Sequence, residues 1–270
     1  MTVHLVAFSD ESMSRAAGIC LLSGAAHGVT NVITTHHRDL LKSEFYAEHN
    51  ALLSRARGLG FWAWKPFIIE RSMRSLSNGD ILIYADAGVE FINNVSHVID
   101  RMDQDIFLFG NNWEHAHWCK RDIVEAVWPC NKDSNCPRPH YDVWDKFGKQ
   151  CQASVIFFRV SDYSKQFVAE WLKWCLHRLR YSTICTDEWR YLIDDSPSIL
   201  PNHPEFRENR HDQAILTTLA YREGIKLHYW PASYNDGAFT YEKLPEYAGD
   251  DYPIMFSHHR RRNHEWEKVA

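Results

Sequence analysis

No run of about 18 apolar residues, the length a membrane-spanning helix needs, occurs in the sequence. The opening residues, MTVHLVAFSDES, hold neither a basic segment nor a long apolar one, so they do not read as a secretory leader, and a cytoplasmic location is expected. Positive charge is not in excess: 30 Lys and Arg against 35 Asp and Glu leave a net charge of −5. That argues against a nucleic-acid partner, whose phosphates demand a basic surface. Seven cysteines in 270 residues are few and odd in number, which points to reduced thiols rather than a disulfide framework. Internal repeats, low-complexity tracts and Pro/Ser-rich linkers are also missing, so residues 1–270 read as a single domain. What is present is a 45% hydrophobic chain, enough for a sizeable core, with 11 Trp and 16 His. Indole faces stack sugars or bases, but they fill cores as readily.

The first 110 residues alternate strand-like and helix-like patterns, which predicts an α/β fold with a mainly parallel sheet flanked by helices. Residues 3–8 form a buried strand pattern, and Ser9 or Asp10 can cap a helix reaching about residue 22. A second strand is expected at 31–35 and one continuous helix at 38–56. Pro66 fits the first turn of the next helix, where its missing N–H costs nothing. Ile68, Ile69, Met73 and Leu76 continue that helix at 3.6-residue spacing, and Asn78-Gly79-Asp80 stops it. Strands follow at 81–85, 106–109 and 153–159, and a short helix at 120–127. Ser161 caps a long helix whose stripe of Tyr163, Phe167, Val168, Trp171, Leu172, Cys175 and Leu176 is core packing. Residues 186–209 read as a long loop, 210–223 as a helix closed by Gly224, and 225–230 as a last strand.

The chemistry concentrates in two places. The strand at 81–85 ends in Asp86-Ala87-Gly88, and ligands of open α/β sheets bind beyond the carboxyl ends of strands. An acid there, followed by a small turn, can hold a cation and the phosphates it bridges. Tyr84, two residues earlier, points to the same side. Lys65 stands at a helix N-terminus, where an anion is favoured, and Arg71 and Arg74 share a face further along. The second place is His211-Asp212-Gln213 at a helix start, where Asn209 and Asp212 also have the spacing of a plain capping box. His115, His117, Cys119, Cys130 and Cys136 form a third cluster, but no C-x-x-C pair supports zinc. Trp62, Trp64 and Trp113 are possible sugar platforms, each more readily explained as core.

Three stretches resemble GT-A-fold glycosyltransferases of the bacterial and viral surface-polysaccharide type. They are the W-x-W-K-P helix with its G-D-x-L-x-Y-x-D-A-G strand at 60–88, the strand and helix at 152–171, and the loop and R-H-D-Q helix at 192–216. The resemblance spans most of the chain from Arg57 to about Leu219. It implies a nucleotide-sugar donor half at 1–110 and an acceptor half with the tail at 111–270. It implies transfer of a hexose-like sugar, from UDP by family habit, to a glycan or lipid-linked glycan, with Mn2+ or Mg2+ at the diphosphate. Residue by residue, it implies that Asp86 is a metal ligand and that Ala87 and Gly88 form the phosphate turn. Gly88 stands where better-known members have a second Asp, so Glu90, His258 or His259 would complete the shell. Phe8 would lie by the nucleotide base. Lys65, Arg71, Tyr84 and His211 would contact the donor, and Arg260, with Arg261 and Arg262, would clamp the diphosphate or touch an anionic membrane surface. Asp212 and Gln213 would flank the reacting carbon, Asp212 as charge stabiliser in a retaining enzyme or as general base in an inverting one. The strand at 152–154 would face the acceptor, and Asp194 and Asp195 could close over the site. Two other readings remain open: a metal-dependent hydrolase using Asp86, His211, Asp212 and a tail histidine, and a non-catalytic nucleotide- or carbohydrate-binding protein.

Overall fold

A computed structural model describes residues 1–129, 143–182, 187–234, 237–259 and 261–266. Its centre is a six-stranded sheet made from β1 (Val3–Ser9), β2 (Asn31–His36), β3 (Ile81–Asp86), β5 (Ile106–Glu114), β6 (Lys149–Arg159) and β9 (Leu227–Tyr229), in the order β2-β1-β3-β6-β5-β9. Five of these strands share one direction and β6 alone opposes them. The expectation of a mainly parallel α/β sheet therefore holds, with one antiparallel strand set into its middle.

Side chains alternate across this sheet because successive strand residues point to opposite faces. Val6, Phe8, Leu82, Tyr84, Leu108 and Ile156 bury one face under the helices Trp64–Met73, Asp162–Cys175 and His211–Arg222. Leu5, Ala7, Ile83, Ala85, Phe107 and Phe157 bury the other against the Ser14–Ala26 helix and a second sheet. That second sheet joins β4 (Val89–Phe91), β10 (Ala232–Tyr234), β11 (Phe239–Thr240) and β12 (Phe256–His258) in the order β11-β10-β12-β4. Its short strands carry too little alternation to be seen in the sequence, and pairing across 165 residues is invisible to local pattern.

Several boundaries differ from expectation for identifiable reasons. The helix expected at 38–56 is broken into His37–Leu41 and Glu44–Leu53, because the Ser43 hydroxyl accepts the Tyr46 N–H at 3.1 Å and caps a new helix there. Asp10, not Ser9, is the first cap: its carboxylate accepts the Met13 N–H at 3.1 Å. The stretch at 186–209 is not all loop. Residues Asp187–Tyr191 form β8, which pairs antiparallel with β7 (Arg178–Ser182). The helix Asp162–Cys175 has the capping box of Ser161 and Ser164 at its start, and buries Phe167, Val168, Trp171 and Cys175 while Tyr163 stays exposed. Glu170 receives a bidentate pair from Arg222 at 2.8 and 2.6 Å, which locks this helix to His211–Arg222. Among the described residues no helix is long and apolar enough to cross a membrane.

Candidate active site

The site grows from the carboxyl end of β3. Asp86 ends that strand with its side chain 34% exposed, and Tyr84, two residues back and fully buried, donates its hydroxyl to Asp86 Oδ1 at 2.7 Å. Lys65, in the first turn of the Trp64–Met73 helix, is buried, and its Nζ lies 3.2 Å from Asp86 Oδ1 and 3.4 Å from Asp212 Oδ2. The same Nζ donates to the Ala153 carbonyl at 3.0 Å. That carbonyl is available because β6 bulges here: Leu108 pairs with Ile156 but Phe109 already pairs with Gln152. Bulges of this kind recur beside active sites, where they re-aim backbone groups.

Asp212 enters from the start of the His211–Arg222 helix and is buried. Trp171 Nε1 donates to its carbonyl at 3.0 Å, and Gln213 Nε2 donates to Gln150 Oε1 at 2.7 Å. The capping-box reading fails, since Asn209 turns its amide to the Ile193 carbonyl at 3.1 Å and no side chain caps this helix. The tail returns to the same place. β12 pairs with β4 so that His258 stands opposite Val89, and the His259 N–H donates to the Gly88 carbonyl at 3.0 Å.

The two carboxylates are pushed apart electrostatically. Burial raises the Asp212 carboxyl to about 6, with Lys65 opposing the rise and Asp86 adding to it. Burial also acts on Asp86, but the Lys65 ammonium, the Tyr84 hydroxyl and His258 outweigh it and hold that carboxyl below its ordinary value. Lys65 loses charge stability through burial, yet Asp212 and then Asp86 more than restore it, so its ammonium is held above the ordinary value. Environments that separate two acids in this way divide labour between them.

A strained turn braces the site. Gly58, Leu59, Gly60, Phe61 and Trp62 have φ of 57°, 51°, 87°, 57° and 62°, and His211 has φ of 52°. Left-handed backbone costs a non-Gly residue roughly 1–2 kcal/mol, and such strain collects at functional sites. Here the turn brings the rings of Phe61 and Trp62 to 5.0 and 5.5 Å from that of His211. His211 is buried by them, with Nδ1 2.8 Å from the Ile193 carbonyl and Nε2 3.5 Å from Asp195. Arg57 ties the turn to the loop before His211 through Asp195 at 3.5 Å and Glu208 at 3.6 Å. That loop is fastened elsewhere too: the Asp122 carboxylate accepts the N–H groups of Ile199 and Leu200 at 2.8 and 2.9 Å, and Lys120 donates to the Asp194 carbonyl at 2.9 Å. Asp194 spends its carboxylate on the Ser196 and Tyr191 N–H groups at 2.8 and 3.2 Å.

Of the residues singled out in the sequence, Lys65, Tyr84, Asp86, Ala87, Gly88, Asp212, Gln213, His258 and His259 are brought together. Others are not. Arg71 lies six residues beyond Lys65, about 9 Å along the helix, exposed and away from Asp86. Arg74 is exposed and paired with Glu70 at 3.0 Å. Lys65 is not an open helix-end anion site, because its charge is already held by two carboxylates. The Phe8 ring is buried against Trp64, with centroids 4.0 Å apart, so it is not open to a nucleotide base. Glu90 pairs with Ser257 on the face of its ribbon opposite that of Val89 and His258. Trp113 stacks on Trp118 at 4.8 Å, with Arg210 over both rings at 5.0 and 4.5 Å, so it is no open platform. His115 and Cys119 are buried around Thr218 and do not meet His117. Arg260, Cys130 and Cys136 lie outside the described residues. Sequence reasoning missed the Ala153 carbonyl and Trp171. The polar Gln150 and Gln152 opening a buried strand were the available signal for the first.

A cavity of about 250 Å3 opens at the carboxyl ends of β1 and β2, on the face of the sheet covered by the Ser14–Ala26 helix, lined by Ser9, Ser14, Gly18, Thr34, His36 and Asp39 among others. Phe8 pairs with Asp86 in the β1–β3 register and Ser9 with His36 in the β1–β2 register, so the cavity opens at the same edge of the sheet as the β3 terminus but on the opposite face from Asp86.

No protein-family model matches the chain, and no curated protein matches it. Among solved structures it is similar to apo WbbM, a bifunctional glycosyltransferase, with 10% identity and a TM-score of 0.50 over 95% of this chain and 45% of that one. It is also similar to apo mouse xyloside xylosyltransferase 1 (10% identity, TM-score 0.45, 96% of this chain and 97% of that one). A third is the galactosyltransferase LgtC with donor and acceptor sugar analogues (12% identity, TM-score 0.46, 96% of this chain and 87% of that one). The chain thus spans less than half the length of the first of these. At such identities the likeness carries the fold, which is GT-A-like.

Proposed function

We propose that this chain is a glycosyltransferase, moving a sugar from a nucleotide donor to a glycan or lipid-linked glycan. The observation that carries the proposal is the meeting of Asp86, Lys65 and Asp212 at the carboxyl end of β3, the edge of the sheet at which a cavity also opens beyond β1 and β2. WbbM, whose fold the chain shares, is a glycosyltransferase, which agrees with this reading.

In it, the nucleoside of a UDP-type donor lies in the cavity lined by Ser9, Thr34 and Asp39, and the diphosphate crosses the Asp86-Ala87-Gly88 turn. A divalent cation fits there: Asp86 Oδ1 is taken by Tyr84, which leaves Oδ2, and His258 stands close enough to act on the Asp86 carboxyl. Mg2+ and Mn2+ need only one or two protein groups beside phosphate oxygens and water. Asp86 and His258 would hold the cation, where it would supply positive charge to the leaving diphosphate. The remaining work falls to the chain itself. Tyr84 holds Asp86 ionised and oriented. Lys65 keeps a fixed positive charge behind the carboxylates. Asp212 supplies negative charge where an oxocarbenium ion develops, and half-buried Gln213, oriented by Gln150, faces the reacting carbon. We favour retention of configuration, because Asp212 is buried against Lys65 rather than open to an acceptor hydroxyl.

The test is thermal-shift binding of a nucleotide and nucleotide-sugar panel with and without Mn2+, followed by product analysis with glycan acceptors. Stabilisation by one nucleotide that grows with Mn2+ and is lost in Asp86→Ala supports the donor site. Turnover without any acceptor would move the assignment to a hydrolase. Donor binding without turnover would make the chain a binding protein.

A further inference from the structure

A second cluster, outside the site above, remains unexplained by sugar transfer. His117, His203 and Glu205 each present one ligand atom, all within 4.8 Å of one another, and among the described residues no other group of three His, Cys, Asp or Glu does so. His117 Nε2 and Glu205 Oε2 are 2.7 Å apart. Both imidazoles are half-buried and held in place. The His117 carbonyl accepts the Arg207 N–H at 2.8 Å, and the ring of Trp144 stands edge-on to His203 at 6.0 Å. The two histidine rings are 5.4 Å apart. Glu205 is largely exposed, and its carboxylate already meets the His117 ring.

We propose that His117, His203 and Glu205 form a binding site for a zinc-class divalent ion, which clasps the loop before His211 to the turn His115–His117. Two imidazoles and a carboxylate are a zinc donor set and leave a fourth position for water. Imidazole nitrogens select zinc-class ions over Mg2+ and Ca2+, which prefer all-oxygen shells. Bonds of 2.0–2.2 Å in a tetrahedron put ligand atoms roughly 3.3–3.6 Å apart, so His117 and Glu205 part slightly while the wider contacts close. His203 Nδ1 now accepts the Glu205 N–H at 3.1 Å. Binding costs the exposed N–H that bond if the ion takes this nitrogen or if the ring proton shifts to it, and water replaces it. The loop so fastened carries Asp195, Glu208 and Asn209 and leads directly into His211 and Asp212, so the ion acts by positioning. This inference does not depend on the transferase reading.

The test is zinc titration calorimetry on the chelator-treated full chain, with Co2+ absorption to report nitrogen and oxygen coordination and Mg2+ as comparator. One zinc per chain is expected, with Mg2+ bound far more weakly there. Glu205→Gln, an exposed change that leaves the fold intact, should weaken zinc more than about tenfold, and His203→Ala should abolish it, while Asp86→Ala leaves it unchanged. Zinc should also slow proteolysis within residues 196–206 of the wild-type chain only. Absence of zinc binding by the wild-type chain, or zinc held equally by Glu205→Gln and His203→Ala, would overturn the proposal.

Discussion

Replacing Lys65 by Met tests the electrostatic core of the site. At an effective dielectric constant of 20, ion pairs of 3.2 and 3.4 Å are each worth about 5 kcal/mol before desolvation. Burial of Lys65 and Asp212 and partial burial of Asp86 offset most of that, but removing the cation leaves two neighbouring carboxylates without the ammonium between them. A broken buried pair typically costs about 3–5 kcal/mol. The variant has one escape, which is to protonate Asp212, already raised to about 6 and raised further without Lys65. At pH 8 that proton must be taken up against the solution, at about 1.4 kcal/mol per pH unit; at pH 5 it is freely available. Urea unfolding should therefore show a loss of about 3–5 kcal/mol at pH 8 and clearly less at pH 5. In Lys65→Met/Asp212→Asn the losses should be smaller than additive. Equal losses at the two pH values, or strict additivity, would refute the argument. The wild-type chain has its own signature. The raised Asp212 favours the folded state while protonated, so its contribution of about 3 kcal/mol is present below pH 4 and fades as pH rises through about 6. The lowered Asp86 acts oppositely, its contribution being lost as pH falls through its folded pKa, below 3.8.

Under the transferase reading Asp212 works ionised, so kcat/KM should rise about tenfold per pH unit up to about 6 and then level; a flat profile between pH 5 and 7 removes Asp212 from the chemistry. Gly18→Leu fills the cavity from a position where an added Cβ meets nothing within 4 Å. It should raise stability by about 0.5–1 kcal/mol through helix propensity while abolishing the nucleotide-induced thermal shift, and undiminished binding would place the nucleoside elsewhere. Gly60→Ala forces a side chain onto φ of +87°, 2.7 Å from Leu53 Cα and 2.8 Å from the Leu52 carbonyl. A loss of at least about 2 kcal/mol in chemical unfolding is expected, and a neutral result would mean that the left-handed turn relaxes.

Much of this was legible before the structure. Tyr84 and Asp86 share a side of β3 because strand periodicity is two, and the hydrogen bond between them follows. Pro66 marked the helix that carries Lys65, and the apolar runs at 3–8 and 81–85 marked the adjacent parallel strands β1 and β3. What stayed hidden depended on pairing at long range. Lys65 looked like a surface cation at a helix end, because nothing local shows that Asp212, 147 residues later, comes within 3.4 Å. Glu90 and His258 looked equivalent as ligands until the β4–β12 register put them on opposite faces. His117 was weighed only with His115 and nearby cysteines, whereas its partners come from a loop some 86 residues downstream.

The antiparallel strand in the middle of the sheet sets a timetable for the growing chain. β3 and β5 never touch each other; each pairs with β6, which is made last of the three. Until residues 149–159 emerge from the ribosome, β2-β1-β3 is a three-stranded sheet with an unpaired, apolar edge, and β5 has no partner on that side. The tail strand β12, which closes the Asp86 turn, arrives later still. Such exposed edges are where nascent chains associate wrongly. Stalling or truncation before residue 149 should therefore yield aggregating fragments, and the site exists only once the chain has been made through residue 258.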